Sequence, residues 1–200
     1  MKSHLEDMPH EIETLANLCV THVKNRFGFE LDFGIDTLSV LDGFIAAVVM
    51  DECEGSMPPP GDRRRSHLIH LLAPTVGAYW GEVLRRQFGG RWRFVTQEPP
   101  NWILEFDEFF LRMNPAGTAA SVVMGESVEE WKSSLVTSPE LMGPLVERLA
   151  VAPPLPEDQF YTLTTIHETI QIAEEYLRER AAKDGSVGCT QEDYDRVFGV

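Results

Sequence analysis

The run from Ser66 to Arg93, SHLIHLLAPTVGAYWGEVLRRQFGGRWR, constrains the fold more than any other part of the chain. Ile69, Leu72, Ala73, Val76, Trp80, Val83 and Leu84 fall on one broad face of a helix, which predicts a core element. Ser66 is the expected N-cap, and Gly89 and Gly90 mark the stop before a strand. Pro74 predicts a kink or a split in the helix. Gly77 and Gly81 stand four residues apart at the edge of the apolar face. Glycine inside a helix is about 0.5–1 kcal/mol less favourable than alanine, so the pair needs a reason. Close approach of another backbone is one, and the small Ala73 a turn earlier agrees with it. A ligand lying in the groove is the other. On that reading the candidate binding residues are His70, Gly77, Trp80, Gly81, Glu82, Arg85 and Trp92, with Trp80, Trp92 and Trp102 lining a cleft, and the place to look is the glycine edge near His70 and Arg85. Glu82 turns away from Gly77 and precedes Arg86 by four residues, so a surface ion pair is expected there.

The remaining chain supplies partners for this helix. Ile12, Leu15, Ala16, Cys19, Val23 and Phe27 make an apolar stripe over residues 10–27, closed by Gly28. His22 beside this stripe reads as a packed or half-exposed histidine. Phe29–Phe33 alternates as a short strand or extended lead-in. A second helix begins near Gly34–Asp36 with Leu38, Leu41, Phe44, Ile45, Val48 and Val49 inward, and Asp42 at its edge is expected to be solvated, the alternative being a half-buried, paired carboxylate. The segment DECEGSMPPPGDRRR, residues 51–65, is a loop. Its Arg63, Arg64 and Arg65 are expected to pair locally with Asp51, Glu52, Glu54 and Asp62, the alternative being a phosphate or an acidic partner.

Three runs then alternate with aromatic residues, Arg91–Thr96, Trp102–Phe106 and Phe109–Met113, and predict an antiparallel meander. Asn114-Pro115 starts a small-residue helix. Ser127 caps a short one, and Ser138-Pro139 starts another that Gly143-Pro144 threatens to break. Pro153, Pro154 and Pro156 form a stiff break. A long helix over about 159–183 carries Leu163, Ile166, Ile170, Ala173 and Leu177 at heptad-like spacing, and Thr190 caps a final turn. The fold class expected is α+β: a small antiparallel β-meander of about three strands packed against several helices, with a mainly helical C-terminal part. One domain spans 1–200, with an α+β core over 1–125 and an acidic helical extension over 126–200.

Charge limits the function. The net charge of −15 argues against nucleic acid and against anionic membrane surfaces. Residues 97–200 hold 19 acidic and 7 basic side chains, so most of the excess lies in the back half. No 18-residue apolar run predicts a membrane span, and the polar start MKSHLEDMPHEIE does not read as a signal peptide. Cys19, Cys53 and Cys189, odd in number and widely spaced, suit reduced thiols in a cytoplasm.

Catalytic signatures are weak. His67 and His70 can face one metal, but the next carboxylate on the helix, Glu82, lies about 18 Å further along at a rise of about 1.5 Å per residue. His167-Glu168 lacks the second histidine of a zinc-protease pattern, with Gln171 in its place. There is no nucleophile elbow, phosphate loop or dinucleotide glycine pattern. Cys19 and Cys53 read as buried small hydrophobes. No catalytic residue, metal site or cofactor is assigned.

The run LDFGIDTLSVLDGF, followed by GAYWGEVLRRQFGGRW, short strands and Asn114-Pro115, resembles a group of uncharacterised bacterial domains. Those pair an S-L-x-x-L-D helix with a G-A-Y-x-G-E-V helix. The resemblance covers about residues 30–125. Gly34 and Thr37 stand where the pattern has serines, which weakens the helix cap. It implies an α+β fold and a bacterial cytosolic origin, and it carries no activity and no site residue.

Three functions are consistent with these features. A protein-binding module of immunity, inhibitor or adaptor type, meeting a basic protein, suits the acidic and motif-free chain best. A small enzyme or ligand-binding domain would use the cleft beside the Gly77/Gly81 helix. A structural subunit would form a homodimer through residues 163–177.

Overall fold

The computed structural model describes residues 8–53, 55–151, 155–185 and 188–199. Its centre is a helix, α3 (Arg63–Phe88), in contact with α1 (His10–Phe27), α2 (Leu38–Glu52) and α4 (Pro115–Met124). From Leu72 to Arg85 every residue of α3 is buried except the half-buried Pro74. A helix wrapped this way needs apolar or small residues all round, which accounts for Ala73, Gly77, Ala78 and Gly81.

Several local signals act as predicted. Gly28 closes α1 in the left-handed conformation, donating its amide to the Lys24 carbonyl. Asn114 caps α4 through its side chain, which accepts the Gly117 amide, and Pro115 opens the helix. Thr190 and Asp193 form a reciprocal capping box on α8 (Gln191–Phe198). Other local expectations need correction. Helix α3 starts at Arg63 with Asp62 as its cap, ahead of Ser66, and the split expected as one outcome at Pro74 does not occur, since the helix is continuous there. Helix α5 (Pro139–Leu149) likewise contains Pro144 without ending there. Residues 29–33 form no strand. Phe33 takes a positive φ of 62°, its amide donates to the Tyr79 hydroxyl at 2.8 Å, and a short 3-10 turn over Ile35–Thr37 leads into α2. Another 3-10 turn, Glu129–Trp131, replaces the short helix expected after Ser127. Pro153 and Pro154 lie outside the described residues.

The sheet is an antiparallel meander in the order β1 (Arg91–Phe94), β2 (Trp102–Glu105), β3 (Arg112–Met113). Its third strand is shorter than the alternation suggested, because the backbone of Phe109–Leu111 turns under Tyr194. The Tyr194 hydroxyl accepts the Leu111 amide at 3.0 Å and faces the carbonyls of Leu111 and Phe106. Trp92 pairs with Leu104 on the core face. Arg91 pairs with Glu105, and Glu105 with Arg112, on the other.

The predicted long helix is two pieces, α6 (Glu157–Phe160) and α7 (Leu163–Lys183). The stripe Leu163, Ile170, Ala173, Leu177 is buried inside this chain, where α7 lies against α2 and α5. These four side chains therefore close the protein's own core, while Ile166 of the same expected stripe is half-buried. One continuous apolar core runs from Ile12 to Leu177, so the acidic C-terminal part is packed onto the α+β part. No helix among the described residues is long and apolar enough to cross a membrane.

Candidate functional site

The residues singled out on α3 divide into two groups. Gly81, Glu82, Arg85 and Trp92 come together. His70 stands apart, exposed beside Trp131 with ring centroids 5.7 Å apart, fifteen residues and about 22 Å along the helix from Arg85. The glycine groove is filled. A Cβ on Gly77 would collide with the Ala116 backbone, and one on Gly81 with the Trp92 ring and Pro115. Here α4 makes the close backbone approach that the glycines permit, so no cleft opens along this edge. Trp80 is fully buried and Trp102 nearly so.

Glu82 departs most from expectation. It is fully buried, not on the surface. Its Oε1 accepts from Arg85 Nε at 2.8 Å and from Trp92 Nε1 at 2.7 Å, and its Oε2 from Arg85 Nη2 at 3.0 Å. The expected partner, Arg86, does pair with it, more loosely, with Nε 3.8 Å from Oε2. Its guanidinium also lies over the Phe33 ring at 3.9 Å from the centroid. The wheel misplaces Glu82 because α1, α2 and α4 all pack on α3 and Trp92 of β1 reaches the carboxylate. A carboxylate held by a two-pronged arginine contact and an indole, away from solvent, has a packing role. It locks β1 to α3 through Trp92.

A second buried carboxylate, Glu105, lies on the opposite face of the sheet. Arg93 reaches its Oε1 at 3.2 Å and Arg91 its Oε2 at 3.5 Å. Arg93 also meets Asp195 of α8 at 2.5 Å, and the Arg112 guanidinium sits 3.4 Å from the centroid of the Phe198 ring. Helix α8 thus seals the charged face of the sheet.

Sequence reasoning missed Arg65 and His167, and at Asp42 the half-buried, paired alternative holds. Asp42, expected in solvent, accepts the Leu163 amide at 2.7 Å, the Thr164 amide at 3.1 Å and the Thr164 hydroxyl at 2.7 Å, and so caps α7 from a different helix. Of the arginine triplet, Arg64 alone is seen to pair as expected among the described residues, with Asp62. That contact holds the Asp62 carboxyl down at about 2, first through the Arg64 side chain. Asp51 pairs with Arg26 and Glu52 with His67, while Glu54 lies outside the described residues. Arg65 is buried and pairs with no carboxylate among the described residues. Its guanidinium donates to the carbonyls of Val123 and Pro58, and burial pulls its pKa down. One signal for this was legible: Arg65 sits four residues before Ile69 and seven before Leu72, on the apolar face. His167 is 2% exposed and lies against Phe88, and neither ring nitrogen has a hydrogen-bond partner among the described residues. Desolvation holds its pKa below the usual histidine value.

Cys19 and Cys53 are buried free thiols, and burial pushes Cys19 up to about 12, away from nucleophilic use. No group of three or more metal-ligating side chains gathers among the described residues. No protein-family model matches the chain, and neither a curated protein nor a solved structure shows significant similarity to it.

Proposed function

We propose that the chain is a protein-binding module of inhibitor, immunity or adaptor type, acting in a bacterial cytosol on a partner with a basic surface. The observation that carries this reading is the division of its charge. Buried carboxylates, Glu82 and Glu105, are paired with arginines. Exposed ones in the acidic back half largely are not. Glu168, Glu175 and Glu179 are exposed on α7 and pair with no cation among the described residues, whereas Glu174 between them is held by Arg178 at 2.6 Å. Their spacing of seven and four residues puts all three on one outward face of the helix. On the adjoining α5, Glu140 and Glu147 are also exposed and pair with no cation among the described residues. A row of unneutralised carboxylates on a rigid helix raises the encounter rate with a basic protein and fixes its orientation. Three free thiols without a disulfide suit a reducing compartment.

Affinity capture from the source cell tests this reading. A basic protein retained at low ionic strength and released as salt rises supports it. Retention of no protein, or of one held equally through high salt, counts against it.

A further inference from the structure

A cavity of about 430 Å³ lies between α2, the 57–60 loop, the end of α4 and the start of α7. It has no connection with the glycine groove. Ile45, Ala46, Val49 and Val122 supply apolar walls, and Arg65 and Asp42 are the charged residues lining it. Its size falls within the range of about 300–1,000 Å³ typical of small-molecule sites.

The two charges are not equivalent. Both Asp42 oxygens are engaged by the first turn of α7, through three hydrogen bonds. Arg65 is 6% exposed, and among the described residues its hydrogen bonds go to neutral carbonyls and its Nε has no hydrogen-bond partner. Asp62, the nearest acidic neighbour on α3, is occupied by the Nε and Nη2 of Arg64. A buried guanidinium facing only carbonyls is an incompletely compensated cation. Arginine has five N–H donors, and a carboxylate is the group that matches their fork. We infer that this cavity binds a small organic monoanion, an apolar body carrying one carboxylate, with Arg65 as the anion-recognising residue.

Titration of the full-length chain by amide NMR, with octanoate and octan-1-ol as probes, tests this. Octanoate is expected to shift the amides of Ile45, Ala46 and Val123 in a saturable way and to bind at least about tenfold more tightly than the alcohol, as expected for one charge-assisted contact. Ala46→Phe, which fills the cavity from the half-buried wall of α2 and leaves Arg65 in place, is expected to abolish the shifts while thermal unfolding stays cooperative. The inference is overturned if neither probe saturates these amides, if the alcohol binds as well as the carboxylate, or if Ala46→Phe leaves octanoate binding unchanged.

Discussion

Asp42 and Leu163 lie 121 residues apart, yet the Asp42 carboxylate accepts the first amide of α7 at 2.7 Å. The next amide, Thr164, also goes to Asp42, and the third, Thr165, to the Thr162 hydroxyl. The orphan donors of the helix are thus met from two directions, and a negative charge sits at the positive end of its dipole. Asp42→Ala is expected to destabilise the chain by about 1–3 kcal/mol in urea unfolding. Asp42→Asn, which keeps an acceptor, should lose less. Equal losses for both variants would show that the charge, not the cap geometry, holds α7.

Glu82 is a riskier position to change. Its removal leaves Arg85, 4% exposed, without its carboxylate and the Trp92 indole without its acceptor. Glu82→Ala is expected to lose about 3–5 kcal/mol, the usual consequence of breaking a buried pair from one side. Chemical denaturation measures this directly. A loss below about 1 kcal/mol would mean that the site behaves like the surface pair its sequence spacing suggests.

Two helical glycines should respond with opposite signs. Gly77→Ala forces a methyl into the Ala116 backbone and is expected to destabilise by about 1–3 kcal/mol. Gly43, exposed on α2, has nothing within 4 Å of an added Cβ. Gly43→Ala should stabilise by about 0.5–1 kcal/mol through helix propensity. Thermal unfolding of the two variants side by side makes the comparison.

His167 sets a pH dependence. Desolvation lowers its folded pKa below the ordinary value of 6.5, so the fold holds it neutral. The unfolded chain then binds the proton more readily than the folded one. Stability from this group is complete above pH 6.5 and is lost as pH falls from there toward the lower folded pKa. His167→Phe should flatten this part of the stability–pH curve relative to the parent chain. Parallel curves for the two proteins would remove His167 as the cause.

What was legible in the sequence was local. Gly28, Asn114-Pro115, Thr190 and the alternating aromatic runs carry their structural meaning within a few residues, and the α+β class follows from them. What was illegible depended on a second element arriving from far along the chain. A helical wheel assigns one inward face, and α3 has no outward face over its central turns because α1, α2 and α4 all pack on it. Glu82 therefore reads as a surface residue from sequence, whereas the close backbone approach expected at Gly77 is met by Ala116 of α4. Asp42 looked solvated because its partners belong to α7. Arg65 was read with its neighbours in a basic triplet, although its register with Ile69 and Leu72 already put it on the buried side.

The division between paired interior charge and unpaired α7 carboxylates is the account's central claim. Its most direct test is the combined variant Glu168→Lys, Glu175→Lys, Glu179→Lys, measured for partner retention in the capture experiment and for thermal unfolding. Surface substitutions each shift stability by about 0.5 kcal/mol or less, so the variant should unfold close to the parent temperature. It should also lose the basic partner. A variant that is equally stable and still retains the partner as well as the parent chain would contradict the account.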